Sequence, residues 1–136
     1  MSSPSRPVVL VTGAARRIGR AIACELAAQG FDVAVHHRQS RDEAEQTVNE
    51  LRALGARAQS FAADLSDEAA CRALLPQVVA ALGPVQAVVN NASTFVYDNP
   101  ARFSVATMEL HWRANTAPAV LLAQALHAHV RATGGI

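Results

Sequence analysis

Apolar runs of strand length alternate with longer helical patterns four times along this chain. Val8–Thr12 is a β-branched run of buried-strand type, and the spacing over Arg17–Gln29 predicts a helix with Ile18, Ile22, Leu26 and Ala27 on one face and Gly30 as its stop. Phe31–His36 predicts a second strand. Ser40 is placed to cap a helix over Arg41–Leu54 whose apolar stripe is Ala44, Val48, Leu51 and Leu54, with Gly55 ending it. Arg57–Ala62 is a third strand. Ser66 is placed to cap a third helix, Asp67–Leu82, with Asp67 and Glu68 in the first turn, where the helix dipole favours acids. Gly83-Pro84 turns the chain into Val85–Asn90, nearly all apolar, as a strand covered on both faces should be. A loop from Asn91 to Phe103 leads to a long helical stretch, roughly Val105 to Ala132, that ends at Gly134-Gly135-Ile136.

Strand–helix alternation with short connections implies one domain over residues 1–136: a doubly wound parallel sheet with helices on both faces, three layers α/β/α. Ligands of such sheets bind beyond the carboxyl ends of the strands, which here are Thr12–Gly19, His36–Arg41, Ala63–Leu65 and Asn90–Phe95. In the first, a strand feeds a glycine-bearing turn that opens a helix, so free N–H groups and the positive end of a helix dipole converge where a phosphate can sit. Gly13 permits the tight turn and Gly19 close packing of helix on strand. Arg17 stands where such loops often carry a third glycine, and with Arg16 it can meet an anion.

The end of strand two selects the nucleotide. A carboxylate there bonds the ribose hydroxyl of NAD, whereas a cation meets the 2′-phosphate of NADP. His36-His37-Arg38-Gln39-Ser40-Arg41 holds no acid, so NADPH is expected, with His37, Arg38 and Ser40 at the phosphate. No metal partner accompanies the two histidines, and they read as loop residues. Asp64, before Leu65, either accepts from the adenine amino group or is a turn residue. Asn90-Asn91-Ala92-Ser93 closes strand four, where asparagines can pin neighbouring strand ends and shape the nicotinamide pocket.

Composition adds exclusions. The net charge is +1, so charge alone implies no polyanion or membrane-surface partner. Scattered cations and 4% aromatic residues give no support to nucleic-acid binding. Cys24 and Cys71 lie far apart with no metal spacing, which points to a reducing cytoplasm rather than a disulfide framework. No apolar run approaches membrane-span length, and Met1–Pro7 lacks the apolar core of a signal peptide.

Together, Thr12-Gly13-xxx-Arg17-Ile18-Gly19, Asp64-Leu65, Asn90-Asn91-Ala92-Ser93 and Asn115 resemble the short-chain dehydrogenase/reductase family, a Rossmann-fold family of oxidoreductases. Arg17 in place of the usual glycine, the basic His36–Ser40 stretch and Asn-Asn-Ala-Ser-x-Phe are most similar to its pteridine reductase branch, which includes dihydromonapterin reductase-like enzymes. That resemblance implies NADPH-dependent reduction of a pterin or folate. It implies Thr12, Gly13, Arg16, Arg17, Ile18, Gly19, His37, Arg38, Ser40, Asp64, Leu65, Asn91, Ala92 and Ser93 around the cofactor. Arg17, Ser93 and Phe95 would face the substrate, with the Phe95 ring stacked on the pterin. Asn115 matches the helix asparagine of the family's catalytic tetrad, which holds a proton-relay water. An asparagine inside a helix, with Pro118 three residues on, weakens the local ladder, and a plain kink would look the same in sequence.

The family's catalytic tyrosine, with a lysine four residues later, has no counterpart here. The only tyrosine is Tyr97, followed four residues on by Ala101, and all twelve basic residues are arginines. Family members are nearly twice this long, so the chain reads as the N-terminal part of a longer enzyme, not expected to turn over substrate by itself. A dimer or tetramer formed through the long helices is implied, the Asn115 helix offering Leu121, Leu122, Ala125 and Leu126 as an apolar face for a partner or for the core. A 3-oxoacyl-thioester (carbonyl) reductase of the same family and a non-catalytic NADPH-binding module are the alternatives.

Overall fold

The computed structural model describes residues 5–134; Met1–Pro4, Gly135 and Ile136, on which the expectations about a leader and a final turn partly rest, lie outside them. Four parallel strands form one sheet: β1 (Val8–Val11), β2 (Asp32–His37), β3 (Ala58–Ala62) and β4 (Val85–Val89), in the order β3-β2-β1-β4. The helices are α1 (Arg17–Ala28), α2 (Arg41–Ala53), α3 (Glu68–Leu82), α4 (Val105–His111) and α5 (Ala117–Thr133), with a π-helical turn over Trp112–Thr116 joining the last two.

Successive side chains on a strand point to opposite faces, so β1 feeds two cores. Val9 and Val11, with Val33 and Val35 of β2, pack against Ala23 and Ala27 of α1 and Ala44, Val48 and Leu51 of α2. Val8 and Leu10, with Ala34, Phe61 and Val85, pack against Cys71, Leu74, Leu75 and Val78 of α3 and Leu122 of α5. Small residues on α1 let that helix approach the sheet closely. The expected three-layer α/β/α arrangement is therefore present, and its polarity changes at β1, where successive connections leave in opposite directions along the sheet.

Several local expectations need correction. The inward row of α1 is Gly19, Ala23 and Ala27, spaced by four, which turns Ile18 outward to 70% exposure. Leu54 lies just past the last turn of α2 and is half-exposed; Thr47 takes a buried place instead, its hydroxyl donating to the Ala15 carbonyl at 2.8 Å. Asp67, not Ser66, caps α3: its carboxylate accepts from Ala70 N–H, while the Ser66 hydroxyl donates to Asp64. Ser40 occupies the N-cap position of α2, but its hydroxyl makes no capping bond. β2 runs on to His37, with His36 and His37 in register with Phe61 and Ala62, so both histidines are strand residues and not loop residues. β4 ends at Val89 and buries only Val85, because it is the outer strand of the described sheet. The long final helix is broken by the π turn.

At the amino ends of the strands, Asp32 is a carboxylate sealed from water. Its Oδ2 accepts from Arg57 Nε and its Oδ1 from Arg57 N–H, both at 2.8 Å, and Arg6 Nε lies 3.3 Å from Oδ1. The two guanidinium groups then reach on to the carbonyls of Ala27, Phe31 and Leu82. Asp32 thus ties the entry of β2 to the segment before β1 and to the entry of β3. Asp32→Ala leaves these donors unmatched and is expected to cost about 2–4 kcal/mol, read as a lowered urea midpoint at unchanged slope. The thiols of Cys24 and Cys71 are free, and no described helix is long and apolar enough to cross a membrane.

Candidate functional site

At the carboxyl ends of β1, β2 and β4 the chain opens a cleft of about 350 Å³. Gly13, Arg16, Arg17, Ile18 and Gly19 form its floor and one wall; His37, Arg38 and Ser40 form a second wall; Asn91, Ala92 and Ser93 form the third. Residues from three separate strand ends, singled out in the sequence, are thus brought together. Asp64 and Leu65 line an adjoining hollow of about 130 Å³ that shares Arg38, Ala92 and Ser93 with the cleft.

The floor is a consequence of backbone geometry. Gly13 has φ of +61°, and a β-carbon there would lie 2.9 Å from the Ala92 Cα. A β-carbon on Gly19 would collide with the Gly13 carbonyl and sit 2.6 Å from Asn91 Nδ2. Arg17 has φ of +54°, the only described non-glycine residue in the left-handed region. It holds the backbone shape of the glycine it replaces, at a cost of about 1–2 kcal/mol. The first hydrogen bond of α1 runs from Arg20 N–H to Arg16 O, so the N–H groups of Arg17, Ile18 and Gly19 have no intrahelical acceptor.

Thr12 supports the floor from below. Its hydroxyl oxygen accepts from Asn91 N–H at 3.0 Å and Ala92 N–H at 2.9 Å, and Asn91 Nδ2 donates back to the carbonyls of Thr12 and Gly13. The Asn91 side chain therefore pins the ends of β1 and β4, as its place in the sequence suggested.

His36 was not legible as part of this machinery. Its ring is buried, and Nδ1 accepts from Gly13 N–H at 3.0 Å while Nε2 meets the Ala63 carbonyl at 2.9 Å. Only a neutral ring with its proton on Nε2 satisfies both contacts. Burial pushes its pKa below the ordinary range, against the opposing pull of the Ala63 carbonyl. His37 is shifted in the same direction, again by burial. The unfolded chain therefore takes up protons near pH 6.5 that the folded chain refuses. The stabilisation is complete above that pH and falls as pH drops toward the lower folded-state values. Unfolding free energies from urea titrations taken from pH 7.5 down to 5.5 should decline, by at most about 1.4 kcal/mol per pH unit for each ring, and more gently in His36→Gln.

The cleft is electropositive. Arg16 and Arg38 are only loosely held, with Glu43 at 3.8 Å and Asp64 at 3.9 Å, and Arg17 has no ion-pair partner among the described residues. Asp64 takes both the N–H and the hydroxyl of Ser66 on Oδ1, the geometry of a turn residue. The Ser66 hydroxyl lowers its pKa, with burial opposing and Arg38 assisting. No carboxylate among the described residues lines the cleft. The free N–H groups of α1, the uncapped Ser40 hydroxyl and the unpaired guanidinium together fit a polyanion with two separate phosphate positions.

Phe95 and Asn115, also singled out in the sequence, line neither the cleft nor the adjoining hollow. Phe95 is 82% exposed on the following loop, and Asn115 sits in the π turn. The Asn115 amide clasps the Thr94 backbone, accepting from its N–H at 2.7 Å and donating to its carbonyl at 2.8 Å. One turn earlier His111 Nε2 accepts from Val96 N–H at 3.0 Å, and its ring lies 6.2 Å from that of Phe95. The helix thus holds the loop on both sides of Phe95. In the sequence His111 is marked only as a polar residue four positions before Asn115. Pro118 has no N–H to offer the preceding turn, which is consistent with the widened ladder there.

The chain was compared with known proteins. Versicolorin reductase stcU from Emericella nidulans is 34% identical over 129 residues, covering 95% of this chain and 49% of that protein. The 3-oxoacyl-(acyl-carrier-protein) reductase FabG of Staphylococcus aureus is 41% identical over 83 residues, covering 61% of this chain and 34% of that one. Among solved structures, the FolM alternative dihydrofolate reductase 1 of Brucella canis, complexed with NADP, superposes with a TM-score of 0.85 at 37% identity, covering 91% of this chain and 50% of its own. A short chain dehydrogenase of Burkholderia cenocepacia in complex with NADP gives a TM-score of 0.85 at 34% identity, over 92% and 50%. The chain therefore spans half or less of the length of each of these relatives. The family model for short chain dehydrogenases matches residues 7–136, which takes in the sheet, the glycine turn and the cleft alike, and the chain belongs to that family.

Proposed function

We propose that this chain supplies the nucleotide-binding part of an NADPH-dependent reductase. The observation that carries the reading is the cleft itself: Arg16, Arg17, Arg38 and Ser40 face it and, among the described residues, no acid does. Such a wall favours a 2′-phosphate over a bare ribose hydroxyl. Two structural neighbours solved in complex with NADP support the same cofactor. Bound NADPH would supply the hydride. Around it, the α1 N–H groups and Arg17 would hold the bridging phosphates, Arg38, His37 and Ser40 the 2′-phosphate, and Asp64 and Leu65 the adenine. Thr12 and Asn91 would position the turn, and Ala92 and Ser93 would border the nicotinamide.

The substrate we propose is a pterin or dihydrofolate, reduced at a C=N bond. Arg17 in the glycine position and Phe95 beyond Ser93 support it, as does the likeness to the FolM reductase. Phe95 would stack on the flat ring, and Asn115 would fix the loop that presents it. The likeness to FabG favours a second reading, reduction of a 3-oxoacyl thioester. Catalysis in either case calls for a proton donor of the tyrosine–lysine type, a pair these residues do not contain. The exposed Met108, Trp112 and Val120 on the closing helices support assembly as a dimer or tetramer. Steady-state rates of the full-length protein with dihydrobiopterin or dihydrofolate, set against a 3-oxoacyl thioester, test the choice. A preference of tenfold or more for the thioester would reject the pterin reading.

A further inference from the structure

His37 is the last residue of β2 and only 6% exposed, yet it lines the cleft. Its Nδ1 is sealed from water and has no hydrogen-bond partner. Leaving a buried ring nitrogen unmatched costs about 1–3 kcal/mol, and ordinary core positions avoid it. The neighbouring ring, His36, is satisfied at both nitrogens by the protein's own backbone. Adjacent histidines on one strand are thus treated oppositely: one is locked as a neutral strut, the other is left incomplete at the mouth of an electropositive cleft.

The charges around His37 come from each element packed on it. The start of α2 contributes Arg41 and Glu45, and Glu45 is already engaged by the Ser60 hydroxyl of β3. β2 contributes His36, and the residue that follows it is Arg38, which leans on Asp64. Across the cleft stand Arg16, loosely tied to Glu43 in the first turn of α2, and Arg17, which has no ion-pair partner among the described residues. Asp42 completes that turn. Burial and Arg41 disfavour a charged ring in the free protein, and Glu45 alone opposes them. A dianion arriving between Arg38 and Ser40 reverses that balance, because it adds negative charge beside a ring that is one proton short of being a cation.

We propose that His37 takes up a proton from solvent when the 2′-phosphate of NADP(H) enters the cleft, so that discrimination against NAD(H) is proton-coupled and strengthens as pH falls from 8 to 6.5. This rests on the cofactor reading above. No bond to the cofactor is made or broken; the proton moves from buffer to the imidazole. The ring is a specificity element, separate from the chemical step.

Calorimetric titration of the full-length protein with NADP and with NAD, in MOPS and in Tris at pH 7, counts the protons exchanged, because the two buffers differ in ionisation enthalpy. Net uptake with NADP and none with NAD is expected, together with NADP affinity that rises about five- to tenfold from pH 8 to 6.5. His37→Gln should still bind NADP, without the uptake and without the pH dependence. Tight NADP binding with no net uptake in the wild-type protein overturns the proposal, and so does undiminished uptake in His37→Gln. The wild-type comparison decides by itself if the variant does not fold. Failure of NADP to bind more tightly than NAD is a different outcome: it removes the cofactor reading on which the proton step stands.

Discussion

Gly19→Ala is expected to abolish nucleotide binding and to cost about 3 kcal/mol or more in stability, near the upper end for overpacking. The added methyl cannot escape by changing rotamer, because alanine has none. It would meet the Gly13 carbonyl and the Asn91 side chain, both of which are fixed: the first by a left-handed turn, the second by donation to the carbonyls of Thr12 and Gly13. Relief requires α1 to lift from the sheet. That separates its free N–H groups from the cleft and opens the Ala23 and Ala27 contacts with Val9 and Val11. Urea unfolding and titration with NADPH read the two effects separately, and affinity should fall by at least about 100-fold. A variant of near wild-type stability and affinity would show that the turn is far softer than its contacts imply.

Arg38→Ala is expected to weaken NADPH binding by about 10- to 100-fold while leaving NADH within about twofold. This corresponds to one charge-assisted contact of about 1.5–3 kcal/mol made to a group that only NADPH carries. The guanidinium is well exposed and its ion pair with Asp64 is long, so its removal should change stability little. The readout is the ratio of the two affinities. Equal losses for both nucleotides would mean that Arg38 acts on the shared adenosine half instead.

The architecture was legible because β1 is a continuous apolar run, β2 carries Val33-Ala34-Val35 at its centre, and the intervening helices carry apolar residues at three- and four-residue spacing. The cleft was legible because its residues answer to local demands: Gly13 and Gly19 to backbone approach, Arg38 and Ser40 to a strand end. What escaped depends on register. Whether His36 faces Gly13 and Ala63 is settled by how β1, β2 and β3 line up, information that no window of sequence contains. Ile18 was misplaced for a related reason. Its hydrophobicity suggested burial, but the inward direction of α1 is dictated by the one residue without a side chain, Gly19. The π turn was legible only as a weakness near Asn115 and Pro118; its form depends on Asn115 reaching across to Thr94.

The single hydroxyl of Thr12 has a mechanical consequence. By gathering the amides of Asn91 and Ala92, it welds the far bank of the cleft to the strand that carries the glycine turn. Two of the three banks therefore move as a rigid body. Any widening needed to admit a bulky ligand falls to the segment beyond Thr94, whose moorings are side chains on a neighbouring helix and not the sheet. On the function proposed above, nucleotide grip and substrate access would fall to mechanically separate parts, so residues beyond Thr94 could diverge without loosening the glycine turn.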